Sequence, residues 1–261
     1  MSLDQWLILN AHGMFLCVMI MVSAAVLSVG GVLIVQRFIS HHRLKVHNDI
    51  TGPIFGTLGV IYAVLLAFVM VVVWQKFDRM EVNSAMEVYY LAGLCTDAEP
   101  FETTFRQKVR DQISVYAKTM IEERNTLARG NVNPEAYKAL EQLVKLYSSY
   151  SLRNETETVF FQESVGKISK LLDLRMIRII DGRAGMHPML WFVLIVGGVI
   201  TIVFTMFFGS SSLRAKMLMS TLLAILISLF LFTILDFSFP FNGTANISSE
   251  SLEQLLPNLA L

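Results

Sequence analysis

The chain has 261 residues with 21 basic and 21 acidic side chains, so its formal net charge is zero and offers no basic surface for nucleic acid. Hydrophobic residues make up 54% of the sequence and the mean hydropathy is +0.56, more than water-soluble domains usually carry. This composition excludes an ordinary soluble domain and indicates a protein that lies in a lipid bilayer.

Four segments are long and apolar enough to cross a bilayer as helices, which requires about 20 apolar residues each. They cover residues 14–35, 54–74, 189–208 and 217–235, and none contains a charged side chain. Pro53 and Pro188 directly precede the second and third spans, and no proline lies inside a span. Because proline suits the first turn of a helix, it supports these limits.

The charges are concentrated between the second and third spans, where residues 76–187 hold 16 of the 21 basic and 16 of the 21 acidic side chains. Apolar residues recur there at helical spacing, which predicts amphipathic helices. The three stripes are Phe105, Val109, Ile113, Tyr116 and Met120; Leu140, Leu143 and Tyr147; and Ile168, Leu171, Leu172, Arg175 and Ile179.

Local signals place the ends of these helices. Pro100 and Asn133-Pro134 predict helix starts, whereas Gly130 and Asp181-Gly182 predict stops or turns. Between Val60 and Ala92 the sequence has no proline or glycine. We therefore expect the second span to continue out of the membrane as one helix to about Thr96.

These elements predict an all-α membrane protein with four transmembrane helices and a helical polar insertion between helices 2 and 3. Residues 1–77 would hold transmembrane helices 1 and 2, residues 78–187 the extramembrane domain, residues 188–236 helices 3 and 4, and residues 237–261 a C-terminal tail. Both tails lack Lys and Arg, whereas the loops 36–53 and 209–216 carry five. The positive-inside rule puts these loops in the cytoplasm and the termini and insertion outside.

The second span has two unlike faces. Gly56, Gly59, Ala63 and Ala67 form a small face, and Gly197 and Thr201 begin a similar face on the third span. Small faces allow helix backbones to approach closely, within one chain or between chains. The opposite, bulky face of the second span carries Ile54, Leu58, Ile61, Leu65, Phe68 and Val72. This bulky face would meet lipid or, alternatively, line a constriction that excludes water.

Reactive groups do not converge anywhere in the sequence, so we expect no catalytic residues, no cofactor and no metal. His41, His42 and His47 share one loop with Asp49, but solvated histidines are favoured there over a metal site. A role in capping the second span is a structural alternative for His47, Asn48 and Asp49.

Three groups of residues resemble a bacterial membrane protein family described as bestrophin-like. The first is His47-Asn48-Asp49 with residues 59–68, Trp74 and Phe77-Asp78. The second is Trp191, Gly197, Ile200-Thr201, Phe204 and Phe208-Gly209, and the third is Leu235-Asp236, Phe241, Gly243, Ile247-Ser248 and Glu250. The resemblance implies that His47, Asn48 and Asp49 lie at a pore mouth or a helix cap.

A more distant resemblance links the chain to bestrophins through Leu65-Leu66-Ala67-Phe68, Phe77-Asp78 and Phe239-Pro240-Phe241. Bestrophins are pentameric ion channels lined by their second helix. This resemblance implies a homo-oligomeric channel with a neck of Ile61, Leu65 and Phe68, whose partners are copies of itself, the bilayer and small inorganic ions. The location would be the bacterial inner membrane. Bestrophins keep their polar region in the cytosol, opposite to the orientation that the charges favour. The alternatives are a non-conducting scaffold or sensor whose insertion binds a partner, and a proton-motor-type subunit with the same layout.

Overall fold

The computed structural model describes residues 13–38, 48–183, 185–209, 212–242, 244–247 and 252–253. These residues form seven helices of at least 15 residues and no strand, which confirms the all-α fold. The helices are α1 (Gly13–Phe38), α2 (Asn48–Asp97), α3 (Thr103–Ala128), α4 (Pro134–Ser148), α5 (Glu155–Arg183), α6 (Pro188–Thr205) and α7 (Leu213–Phe237). Four of them, α1, α2, α6 and α7, are long and apolar enough to cross a membrane.

The chain divides into two compact units. Among the described residues, the membrane unit contains residues 13–38, 48–75, 186–209 and 212–238. The polar unit contains residues 76–183 and 185 together with the described residues from 239 onward. Helix α2 contributes residues to both.

Helix α2 is 50 residues long, or about 75 Å at the usual rise per residue. Its end at Asp97 confirms the prediction of one continuous helix to about Thr96. Its start at Asn48 corrects the expectation that Pro53 begins the span, because Pro53 lies inside the helix. Near a helix start a proline removes few backbone bonds. The Thr57 hydroxyl donates to the Pro53 carbonyl at 3.1 Å.

The membrane unit is built on contacts of α1 and α6 with α7, together with one face of α2. The hydroxyls of Ser28 on α1 and Ser220 on α7 lie 2.7 Å apart and are buried. The core cluster consists of Tyr62, Leu66, Val69, Val73, Leu194, Ile227 and Ile234.

The polar unit packs α3, α4 and α5 around a second apolar core. The structure confirms the first two predicted stripes, because all their members are buried. In the third stripe Ile168, Leu171 and Arg175 are buried, but Leu172 is exposed and does not belong to the core face.

The helix ends follow most of the predicted signals. Gly130 has a φ of 82°, the left-handed conformation that ends α3, and Asn133 Oδ1 accepts from the Glu135 amide at 3.0 Å to begin α4. Pro100 lies in the turn before α3, which begins at Thr103. Asp181-Gly182 does not form a turn, because α5 continues to Arg183. At Gly182 close packing is the reason for glycine, since an added Cβ would lie 3.0 Å from the Phe241 ring.

Candidate functional site

One stripe of α2 packs onto the other helices of the membrane unit. It consists of Tyr62, Leu66, Val69 and Val73, which recur every three or four residues and are all buried. The Tyr62 hydroxyl donates to the Leu194 carbonyl of α6 at 2.9 Å. We call this stripe the seam. Because it packs on the other helices, it determines which sides of α2 remain exposed.

Tyr62 packs against two glycines of α6. A Cβ added to Gly197 would lie 2.8 Å from the Tyr62 ring, and one added to Gly198 would lie 2.8 Å from its hydroxyl oxygen. Thr201 is buried one turn later, and its hydroxyl donates to the Gly197 carbonyl at 2.8 Å. Gly197 and Thr201 therefore lie where α2 and α6 meet inside one chain.

The three residues of the predicted neck lie on one side of the seam. Ile61 and Phe68 are 67% and 69% exposed, so the described part of the chain leaves most of each side chain uncovered. Leu65 lies between them and is half-buried, because it packs against the core of the membrane unit. The same uncharged surface includes Ile54 and Val72, which are also exposed.

The small face of α2 lies on the other side of the seam. Within the described ranges, no heavy atom from outside its own stretch of helix comes within 4 Å of a Cβ added to Gly56 or Gly59. Ala63 and Ala67 are exposed.

Small residues of the other spans lie in contacts within the chain. The Ser28 and Ser220 hydroxyls join α1 to α7, and Ala224 is fully buried. Gly31 of α1 leaves no space for a side chain against Met206. The small face of α2 thus differs from those of α1, α6 and α7, which are occupied inside a single chain.

Asn48 and Asp49 form the start of α2. Asp49 is exposed in the first turn, where a carboxylate interacts favourably with the helix dipole. His47 lies outside the described residues, as do His41 and His42. Among the residues that are described, no group of three or more His, Cys, Asp or Glu side chains could hold a metal ion.

The polar unit contains a buried ion network that joins α2, α3 and α5. Glu123 of α3 accepts from two arginines of α5, at 2.6 Å from Arg175 and 2.7 Å from Arg178. Arg178 also donates to Glu87 of α2, and Arg124 lies 3.6 Å from the second oxygen of Glu87. All five side chains are almost completely buried.

The pKa values of Arg178 and of the neighbouring Tyr116 differ from their ordinary values. Burial by itself would lower the pKa of Arg178, but the carboxylates of Glu87 and Glu123 more than offset that effect and the pKa lies above its ordinary value. Burial also raises the pKa of Tyr116, which lies among the same residues, to about 12. Arg178 therefore remains charged and the Tyr116 phenol remains neutral at physiological pH.

Sequence reasoning found only Arg175 of this network. The other members of the network could have been found from their helical spacing relative to the apolar stripes. Glu123 follows the buried Met120 by three residues, and Arg178 follows Arg175 by three. A charged residue on the buried face of a helix indicates a partner inside the core.

Comparisons with known proteins agree with this architecture. A model of the Bestrophin-like domain matches residues 22–252. A variant of a bacterial bestrophin homolog from Klebsiella pneumoniae has a similar structure, with a TM-score of 0.75, 10% identity, and coverage of 92% of this chain and 99% of that chain. A second structure of the Klebsiella pneumoniae homolog gives a TM-score of 0.72, 11% identity, and coverage of 91% and 96%. No curated protein matches this chain in sequence.

Proposed function

The chain belongs to the Bestrophin-like family, and on that premise we propose that it is a homo-oligomeric ion channel of the bacterial inner membrane. The conducting path would run along α2, with Ile61, Leu65 and Phe68 as its neck. The observation that carries the proposal is the surface of α2 itself. Two different faces, one bulky and one small, are both largely exposed among the described residues of a single chain.

The small face supports the oligomer. In lipid, missing side chains are advantageous only where another backbone approaches closely. Among the described helices of the same chain, none does so at Gly56 or Gly59. A second copy of the chain would supply that helix. If each copy covers the small face of the next, the contact is heterologous, and it forms a ring where the rotation between copies closes. Five copies is the number that the resemblance to bestrophins favours.

The bulky face supports the neck. In a ring, some helix must line the axis, and α2 carries no charged side chain between residues 50 and 75. Repeated copies of Ile61 and Phe68 would narrow the axis and exclude water without any charge. Such a neck would control the passage of ions by its diameter and by the exclusion of water, and not by a filter of charged side chains.

Ion flux from liposomes that contain the purified protein tests this proposal. We expect Phe68→Ala and Ile61→Ala to raise flux several-fold, because each shortens a side chain at the narrowest part of the path. The matched controls are Phe192→Ala and Ile195→Ala on α6, which are also exposed and apolar but lie outside the proposed path. Leu65→Ala is less informative, since Leu65 also packs on the core.

Two results would contradict the proposal. Unchanged flux in both α2 variants, with normal assembly, would mean that the bulky face meets lipid. Flux no higher than that of empty liposomes for the parent protein, across several ions, would favour the non-conducting scaffold.

A further inference from the structure

A cavity of about 420 Å³ lies in the membrane unit where the end of α6 meets the start of α7. Its wall is mainly apolar and includes Phe55 and Phe208, whose ring centroids lie 5.3 Å apart in an edge-to-face arrangement. Leu223 and Met219 of α7 complete the apolar lining, and Met219 is 70% exposed. The cavity therefore has an apolar interior and an apolar rim at the surface.

Of the described residues that line this cavity, Lys216 alone is charged. The side chain is 4% exposed, and its ammonium is buried with no hydrogen-bond partner among the described residues. No carboxylate in the described part of the chain lies within 4 Å of it. A buried and unpaired ammonium is costly, so an anion that bound beside it would be favoured.

The position of Lys216 on α7 further favours a bound anion. It lies in the first turn of α7, where the helix dipole disfavours a cation and favours an anion. The two hydroxyls that line the cavity, Thr205 and Ser220, already bond to each other at 3.0 Å. An incoming ligand thus meets one unsatisfied positive charge in otherwise apolar surroundings.

We propose that this cavity binds a membrane lipid with an anionic headgroup. The headgroup phosphate would pair with Lys216, and an acyl chain would pack against Phe55, Phe208 and Leu223. The depth is suitable, because Lys216 precedes the uncharged stretch 217–235 and so lies at the boundary between headgroups and hydrocarbon. The volume is within the range of about 300–1,000 Å³ that is usual for ligand sites.

Native mass spectrometry of the full chain in mild detergent tests the site. The protein is titrated with phosphatidylglycerol and, in parallel, with phosphatidylcholine of the same acyl chains. We expect the parent protein to retain phosphatidylglycerol preferentially. Lys216→Met should weaken that retention at least tenfold, whereas Arg214→Met, which removes an exposed cation nearby, should leave it unchanged.

Two further measurements separate the headgroup from the acyl chain. Leu223→Trp fills the cavity but keeps the ammonium, and it should also weaken retention of phosphatidylglycerol. Millimolar inorganic phosphate should not displace the lipid, because it lacks the acyl chain. Lys216→Met should fold as the parent protein does, since the substitution replaces an unpaired charge by an apolar chain of similar length.

The proposal is overturned if Lys216→Met retains phosphatidylglycerol as well as the parent protein does. Equal retention of the two lipids by the parent protein, no retention of either, or displacement by free phosphate would overturn it as well. None of these readouts depends on whether the protein conducts ions.

Discussion

Single charged side chains connect three helices of the polar unit. Glu123 accepts from both Arg175 and Arg178, so its removal leaves two buried guanidinium groups without that carboxylate. We expect Glu123→Gln to lower the free energy of unfolding by about 3–5 kcal/mol, the usual effect of breaking a buried ion pair. Denaturant unfolding of the protein in detergent, followed by circular dichroism, measures this change.

The matched control is Glu141→Gln. Glu141 pairs with Lys145 at 2.7 Å on the exposed side of α4, where an ion pair contributes about 0–1 kcal/mol. If the two substitutions had the same effect, the buried network would not stabilise the polar unit.

Tyr116 gives the stability of the protein a dependence on alkaline pH. Its pKa is raised by burial to about 12, against roughly 10 for an ordinary tyrosine. The unfolded chain therefore loses this proton first. The stabilisation is complete below about pH 10 and is lost as the pH rises toward 12, a difference of roughly 3 kcal/mol.

The prediction is that Tyr116→Phe makes the free energy of unfolding less dependent on pH between about 10 and 12. Unfolding curves at several pH values within that window measure the slope. Tyr89→Phe, which changes an exposed tyrosine, is the control and should keep the slope of the parent protein. An identical slope in Tyr116→Phe would show that other groups cause the dependence.

The apolar core of the polar unit could be predicted from sequence more completely than its charges. Met120 and Tyr116 repeat at the helical period, so their burial follows from local spacing alone. Glu87 and Arg178 are 91 residues apart in the chain, and their burial depends on a partner that local spacing does not identify. Contacts of this kind are set by tertiary packing.

The helices themselves followed from simple signals. A bilayer requires each span to satisfy its backbone hydrogen bonds internally, so a long uncharged stretch leaves little choice but a helix. The predicted start of α2 was wrong, because the prediction treated Pro53 as the first residue of the helix. Asn48 and Asp49 precede it and extend the helix by more than one turn. The end near Thr96 was right because residues 60–92 contain no helix breaker.

The contact between α2 and α6 depends on the absence of side chains at two glycines. Gly197→Leu would force the Tyr62 ring away from α6, since even a Cβ would lie 2.8 Å from it. We expect a loss of about 1–3 kcal/mol, the usual cost of overpacking, and a lower melting temperature. Gly30→Leu on α1 is the control, because nothing lies within 4 Å of a Cβ there. Equal melting temperatures for the two variants would contradict this packing.

Assembly of the whole protein should depend on the uncovered small face of α2. Gly59→Leu meets no obstacle inside one chain, so we expect each chain to fold normally. The leucine would prevent another helix from approaching, and the oligomer should dissociate. Mass measurement in mild detergent at several protein concentrations checks this result. Val64→Leu, on an exposed part of α2 outside the small face, serves as control.

If Gly59→Leu remained an intact oligomer, the interface would lie on another surface of the chain. A parent protein that is monomeric at every concentration would contradict the proposed ring and the channel with it. Sequence alone could not decide this point, because small faces predict close packing without saying which chain supplies the other helix.

The unbroken course of α2 through the polar unit has a consequence for how this region can change in evolution. Met80 and Glu87 are both buried and lie seven residues apart with no glycine or proline between them, so their rotational phase is fixed at about 100° per residue. Inserting one residue between them would turn Glu87 away from Arg178 or turn Met80 to another side. Inserting seven would change the phase by only about 20°. Natural length variation here should therefore occur in steps close to whole turns.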